Sequence, residues 1–392
     1  MDSIGGGGAP LNILVLSQRP TRDEMVRAAL SAGSVGGISL VTSAAEAVLR
    51  LVQAPLPFSH LVIDAGAAGP LTDTLRDLVT GDTHAGTGLV IVETPRDGPP
   101  EAEALAVRQA LQNAARWPLP PAALTQKELR SALLGNMVCM HYQPVVRLAD
   151  GAAVALEALA RLRYPTLGLL PPRDFVPQAE AAGLSLRLTQ AVASSVAIDL
   201  ASGDMSPTKD MPADGRDGLS VAVNLPLNVL AVPGVLRTLK RLRYEAGLPP
   251  ERLSIELTES RPVHDLPGLA RIIGRLRILG FRVALDDAGP ATPNLPALLD
   301  LPFSAVKIDQ GVTQATTDSA ERFLTGLVGT AQRRGFAVIA EGVKDLEIWQ
   351  RMRRLGVDQA QGFLIARPMP RAAVPIWLAG WPTRWPGAGM PA

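Results

Sequence analysis

From about residue 138 onward the chain is a series of short apolar runs that end in polar or charged residues, with helix-like stretches between them. LSVAVN ends at Asn224, LSIEL carries Glu256, and RVALDD ends in Asp286 and Asp287. AVKID carries Lys307 and Asp309, and AVIAE ends at Glu341. Apolar runs alternating with helices of about 10–15 residues predict parallel strands joined by crossover helices. About eight strands in roughly 245 residues match the size of a (β/α)8 barrel. The opening is different. VCMHYQPVV and AAVALEALAR flank Asp150-Gly151, a hairpin signal, so these two strands are expected to be antiparallel. The prediction is an irregular TIM-like barrel with one antiparallel strand. Its helices are placed at Arg173–Leu200, Leu227–Ala246, Leu266–Leu279, Leu295–Leu301, Ala320–Arg334 and Asp345–Leu355, and its last strand at QGFLIA.

The first third alternates in a simpler way. Leu11–Ser17, ISLVTS, HLVID ending at Asp64, and Leu89–Glu93 read as buried strands. Thr21–Gly33, SAAEAVLRLVQ, LTDTLRDLV and EAEALAVRQALQNAA read as helices between them. A doubly wound parallel sheet is expected there. Thr125 and Glu128 have capping-box spacing and open a last helix, Gln126–Leu134.

Charge and composition exclude several classes. Lys+Arg 38 against Asp+Glu 37 leaves a formal +1, which gives no overall basic excess for DNA. Hydrophobic residues at 47% supply material for full cores, so a disordered chain is excluded. The single cysteine, Cys139, sits in an apolar run and reads as a small buried hydrophobe. Neither a signal peptide nor a transmembrane helix is read, so a cytoplasmic location with no membrane partner is expected.

In a (β/α)8 barrel catalytic groups gather at the carboxyl ends of the strands. Glu157, Asn224, Glu256, Asp286, Asp287, Lys307, Asp309 and Glu341 all fall there. Strand-end acids also cap helices and form turns, which is the bland reading for any one of them. Their recurrence over six successive strands argues for a common site. Converging carboxylates repel one another unless cations lie between them. An oxygen-rich set with an Asn carbonyl and no clustered His or Cys suits Mg2+ or Mn2+, and two ions suit phosphoester hydrolysis.

Two resemblances follow from these residues. Over residues 10–134 the element order resembles a response-regulator receiver, with Asp64 at the phosphoacceptor place and Thr94 after the fourth strand. Ser17-Gln18 stands where the receiver's acidic pair belongs, and Pro120-Pro121 where its Lys-Pro falls. A carboxylate cannot easily accept a phosphoryl group without a cation. This part is therefore read as a pseudo-receiver whose Asp64 is not phosphorylated, serving dimerisation or an unidentified protein partner.

Over nearly all of residues 138–370 the chain resembles the EAL domain, the cyclic-di-GMP phosphodiesterase family, and the barrel domain is placed at 138–380. Glu157-Ala158-Leu159 is joined by HYQP, FVPQAEAAGL, AVNL, IELTES, VALDD, VKID, IAEGV and AQGFLIARPMP. The resemblance implies metal binding by Glu157, Asn224, Glu256, Asp286, Asp287 and Glu341, with Asp286 bridging two ions. Glu341 and Lys307 would be catalytic, Lys307 holding the attacking water. Gln143, Leu159, Arg161 and Gln361 would contact substrate, and the product would be linear pGpG. Homodimerisation is implied too. Two positions depart from the family: Ala288-Gly289-Pro290-Ala291 replaces Phe-Gly-Thr-Gly, whose usual anchor Glu259 is retained, and Lys344 replaces a glutamate. Three functions stay open: phosphodiesterase, non-catalytic cyclic-di-GMP receptor, and protein-interaction module.

Overall fold

The computed structural model describes residues 11–17, 35–53, 58–64, 67, 69–80, 88–92, 124–165, 167–202, 205, 219–230, 232, 234–245, 247, 249, 252–258 and 265–383. The helices expected at Thr21–Gly33 and EAEALAVRQALQNAA, together with Gln18, Thr94, Pro120-Pro121 and Glu259, lie outside the described residues. The chain divides into two compact units, Met1–Ala123 with Arg163–Pro171, and Leu124–Leu162 with Pro172–Ala392.

The first unit holds β1 (Leu11–Leu16), β2 (Val35–Val41), β3 (His60–Asp64) and β4 (Gly88–Val92) in one parallel sheet of order β2-β1-β3-β4. This is the order of doubly wound folds that place a crevice at their strand ends. Ile13, Leu14 and Leu16 of β1 and Leu61 of β3 are buried, as a sheet covered on both faces requires. Helix Ala44–Gln53 buries Ala47, Val48, Leu51 and Val52, and helix Thr72–Thr80 buries Leu75, Leu78 and Val79. Asp64 is the last residue of β3 and pairs across to Val92.

The second unit is the barrel. Among the described residues, β5 (Val138–Arg147), β6 (Ala153–Tyr164), β8 (Ser220–Pro226), β9 (Leu253–Thr258), β10 (Arg282–Ala288), β11 (Ala305–Ile308), β12 (Ala337–Ala340) and β13 (Gln359–Gln361) close on themselves. One short strand, β14 (Met369–Pro370), extends the sheet beyond the closure, while β7 (Gly168–Leu170) falls in the first unit. β5 is antiparallel to β6 and β13, while β6 and β8 to β13 run parallel in sequence. The reversal follows from the turn. Gly151 has φ +72°, and Asp150 accepts the Ala152 N–H at 3.0 Å. Asp150-Gly151 therefore turns the chain as its residue types require.

The helix Gln126–Leu134 carries the expected capping box: Thr125 accepts the Glu128 N–H, and Glu128 accepts the Thr125 N–H. It clusters with the second unit. Three sequence expectations are corrected. Arg173–Leu200 is two helices, Pro172–Ala181 and Ser185–Ala201, because Gly183 takes φ +69° and Leu184 N–H bonds back to Ala179. Leu227–Ala246 likewise divides into Leu227–Leu230 and Val235–Glu245. QGFLIA is not a strand: pairing stops at Gln361, and the Ile365 and Ala366 N–H groups both turn back to the Gly362 carbonyl.

Candidate active site

Strand alternation puts every second side chain on one face. On β6 this sets Glu157, Leu159 and Arg161 together, opposite Leu156, Ala158 and Leu162, which are buried on the other face. Glu157 and Arg161 are both nearly fully buried, and Leu159 is half-buried. The Arg161 guanidinium bonds to the Ala160 carbonyl at 2.9 Å.

β10 breaks that alternation where two carboxylates are needed. Leu285 pairs with Val306 and Ala288 with Ile308, so Asp286 and Asp287 together oppose the single residue Lys307. This is a β-bulge, a device that re-aims side chains beside functional sites. Asp287 takes φ +53°, in the left-handed region. On a regular strand the two would face opposite ways. Here a carboxylate oxygen of Asp286, one of Asp287 and one of Glu341 lie within 4.8 Å of one another.

Lys307 sits at the middle of the set, 1% exposed. Its Nζ lies 2.7 Å from Glu341, 2.9 Å from Glu256, 3.2 Å from Glu157 and 3.3 Å from Asp286. Glu157 also accepts from Asn224 Nδ2 at 2.8 Å and from Gln361 Nε2 at 2.7 Å. Gln361 donates further to Gln143 at 3.0 Å, and Gln143 donates to the Ala366 carbonyl. Five strands thus bring Glu157, Asn224, Glu256, Asp286 and Lys307 together, and Glu341 joins them one residue beyond β12.

One ammonium cannot balance four carboxylates, and the proton affinities register it. Burial, followed by repulsion from Asp286 and Glu157, raises Glu341 to about 8 despite Lys307. Burial raises Asp286 to about 6, with Glu157 and Asp287 adding to it. Glu256 is raised well above the carboxylate range by burial and by Glu157 and Asp286. Asp287 is raised by burial and by Asp309. Glu157 goes the other way: burial raises it, but Lys307 and the bonds from Asn224 and Gln361 outweigh that and lower it. Lys307 is raised well above its usual range, its burial outweighed by the surrounding carboxylates.

The donor set fits a hard divalent cation. Surplus negative charge is concentrated in a dry site, and Asn224 Oδ1 is buried with no hydrogen-bond partner. Asp309 plays the bland role for a strand-end acid: it caps helix Gln310–Gln314 by accepting the Gly311 and Val312 N–H groups. Lys344 is exposed, and among the described residues no ion pair links it to the carboxylates. The loop after the bulge was the least legible part. Gly289-Pro290-Ala291-Thr292 closes as a turn, with Thr292 N–H bonded to the Gly289 carbonyl at 3.0 Å and proline in its favoured second place. Thr292 had no signal in the sequence beyond being a hydroxyl in a proline-rich loop.

A reversed-hairpin barrel with an acidic rim around a buried lysine defines a class, and comparison with known proteins identifies it. The EAL domain matches residues 126–368, and the chain belongs to that family. Over 258 residues it is 32% identical to the cyclic di-GMP phosphodiesterase NbdA of Pseudomonas aeruginosa, covering 65% of this chain and 32% of that protein. Over 251 residues it is 32% identical to the cyclic di-GMP phosphodiesterase PdeR of Escherichia coli, covering 64% and 36% respectively. The chain thus spans about a third of the length of these relatives. The PaMucR phosphodiesterase, solved as a c-di-GMP complex, superposes with TM-score 0.56 at 29% identity, covering 62% of this chain and 96% of that one. No helix among the described residues is long and apolar enough to cross a membrane.

Proposed function

We propose that the barrel is a metal-dependent phosphodiesterase that hydrolyses cyclic di-GMP to linear pGpG. The observation that carries this reading is Lys307, held within 3.3 Å of Glu157, Glu256 and Asp286 on three strands and of Glu341 just past a fourth, with the Asn224 oxygen buried and unpartnered. Relatives that act on this nucleotide supply the substrate class.

Glu157, Asn224, Glu256 and Asp286 would hold one ion, and Asp286, Asp287 and Glu341 a second, as Mg2+ or Mn2+. Bound there, the ions would acidify a water and offset charge on the phosphoryl oxygens. Lys307 Nζ would orient the attacking water, and Glu341, 2.7 Å from that ammonium, would take the water's proton. The water oxygen bonds to phosphorus, one P–O3′ bond breaks, and the departing oxygen takes up a proton. Arg161 would neutralise a phosphate, while Gln143, Leu159 and Gln361 would line the nucleotide.

The N-terminal unit would regulate or dimerise the barrel as a pseudo-receiver, because its first strand is followed by Ser17-Gln18 in place of an acidic pair. The chain would act in the cytoplasm. A receptor that binds without turnover is the second reading, favoured by Ala288-Gly289-Pro290-Ala291, which stands where the family carries Phe-Gly-Thr-Gly and leads into the turn closed at Thr292.

The test is pGpG release from cyclic di-GMP with Mg2+ or Mn2+, with nucleotide binding measured in parallel. Turnover that falls to background in Glu157→Ala is the expected result. Binding without turnover would make the protein a receptor, and neither would leave an interaction module.

A further inference from the structure

The pair Asp286-Asp287 serves one site only because the backbone between Leu285 and Ala288 is bulged, and something must hold that bulge. A left-handed φ is uncommon at a non-glycine residue, and Asp287 takes it at +53°. On the strand side the bulge is closed from just past β11, where Asp309 N–H bonds to the Ala288 carbonyl at 3.1 Å. On the loop side one side chain does the equivalent. Thr292 Oγ1 accepts the Gly289 N–H at 2.9 Å and stands 3.4 Å from the Asp287 carbonyl oxygen, to which its hydroxyl can donate. The same residue's N–H closes the turn onto the Gly289 carbonyl. Its Oγ1 thus engages the backbone on both sides of Ala288, itself fully buried.

We propose that Thr292 is a positioning residue for the second cation site, its hydroxyl holding Asp287 in the bulged conformation that brings its carboxylate beside Asp286 and Glu341. The inference rests on the metal-dependent reading above and deepens it: the loop is anchored on itself, through a threonine and a proline turn. The physical demand is geometric. Three oxygens gathered within 4.8 Å can share an ion, and rotation of Asp287 toward the regular strand alternation removes one of them. Thr292 is half-buried in a surface loop, so the side chain can be changed without opening the core.

The test is Mn2+ titration of the full chain, following free Mn2+ by electron paramagnetic resonance, with Thr292→Val, Thr292→Ser and Asp287→Asn. Valine keeps the shape and loses the hydroxyl; serine keeps the hydroxyl. The wild-type chain is expected to bind two ions. In Thr292→Val and Asp287→Asn the weaker site should lose about tenfold in affinity, while the tighter site is unchanged. Thr292→Ser should retain wild-type affinity within about twofold, and all three should unfold within a few degrees of wild type. Wild-type affinities at both sites in Thr292→Val would overturn the proposal, as would equal losses at both sites. An unfolded Thr292→Val beside a folded Thr292→Ser of weakened second-site affinity would also overturn it. A wild-type chain that binds no second ion would instead overturn the two-ion reading itself, an outcome visible before any variant is made.

Discussion

Lys307 is surrounded by Glu157, Glu256, Asp286 and Glu341 at 2.7–3.3 Å, with 1% of its surface exposed. Removing one partner of a buried ionic cluster leaves the others uncompensated, at a cost of about 3–5 kcal/mol. Lys307→Met keeps an unbranched side chain, one atom shorter, and removes its charge. Metal-free Lys307→Met is therefore expected to be less stable than wild type by that amount in urea unfolding. Mn2+ should raise its melting temperature by more than it raises the wild type's, since the ion then supplies the missing positive charge. An unchanged urea midpoint would show that the carboxylates are not held together by this lysine. At this scale the sequence was informative. Glu157, Asn224, Glu256, Asp286, Lys307 and Glu341 each stand at or next to the end of an apolar run, and the structure gathers all six. The hydrogen bonds that hold Glu157 were less legible, because Gln361, which donates to both Glu157 and Gln143, lies more than 200 residues from either in the chain.

Elements depend on single backbone positions that hydrophobic periodicity cannot register. The apolar pattern of Arg173–Leu200 runs through Gly183 without interruption, yet the helix stops there because Gly183 adopts φ +69° and the next N–H caps backward onto Ala179. A Cβ added at Gly183 would meet nothing within 4 Å, so only the backbone conformation resists substitution. Gly183→Ala is expected to destabilise the chain by about 1 kcal/mol, read from the urea midpoint at unchanged slope. No loss would mean that the turn relaxes freely. The bulge in β10 belongs to the same category. Strand alternation alone would turn neighbouring aspartates to opposite faces, and the pairing of Leu285 and Ala288 with β11 shows the bulge that lets Asp286 and Asp287 approach one another. Local signals with their own chemistry were read correctly: Thr125 with Glu128 capped its helix, and Asp150-Gly151 reversed its strand.

Across the whole molecule a formal charge of +1 conceals a strongly negative barrel rim. That concentration makes stability depend on pH in a definite direction. Glu341, ordinarily at 4.5, is raised to about 8, and Asp286, ordinarily at 3.8, to about 6, chiefly by burial. Both bind their protons more tightly folded than unfolded, so their contribution is complete below about 4 and is lost as pH rises through about 8. The melting temperature of the metal-free chain is expected to fall between pH 5 and pH 8. Saturating Mn2+, or Glu341→Gln, should flatten that slope, and a flat profile in the metal-free wild type would contradict the assigned proton affinities. The same scale separates what sequence determines from what folding decides. The alternation of apolar runs and helices, and the polar residues at the run ends, determined the α/β class, the reversed first hairpin and the membership of the rim, because each depends on neighbours within a few residues. Closure of β5 between β6 and β13, the bulge that turns Asp287, and the placing of one lysine among four acids were decided by tertiary structure. They depend on strands far apart in the chain meeting at a register that no local pattern encodes.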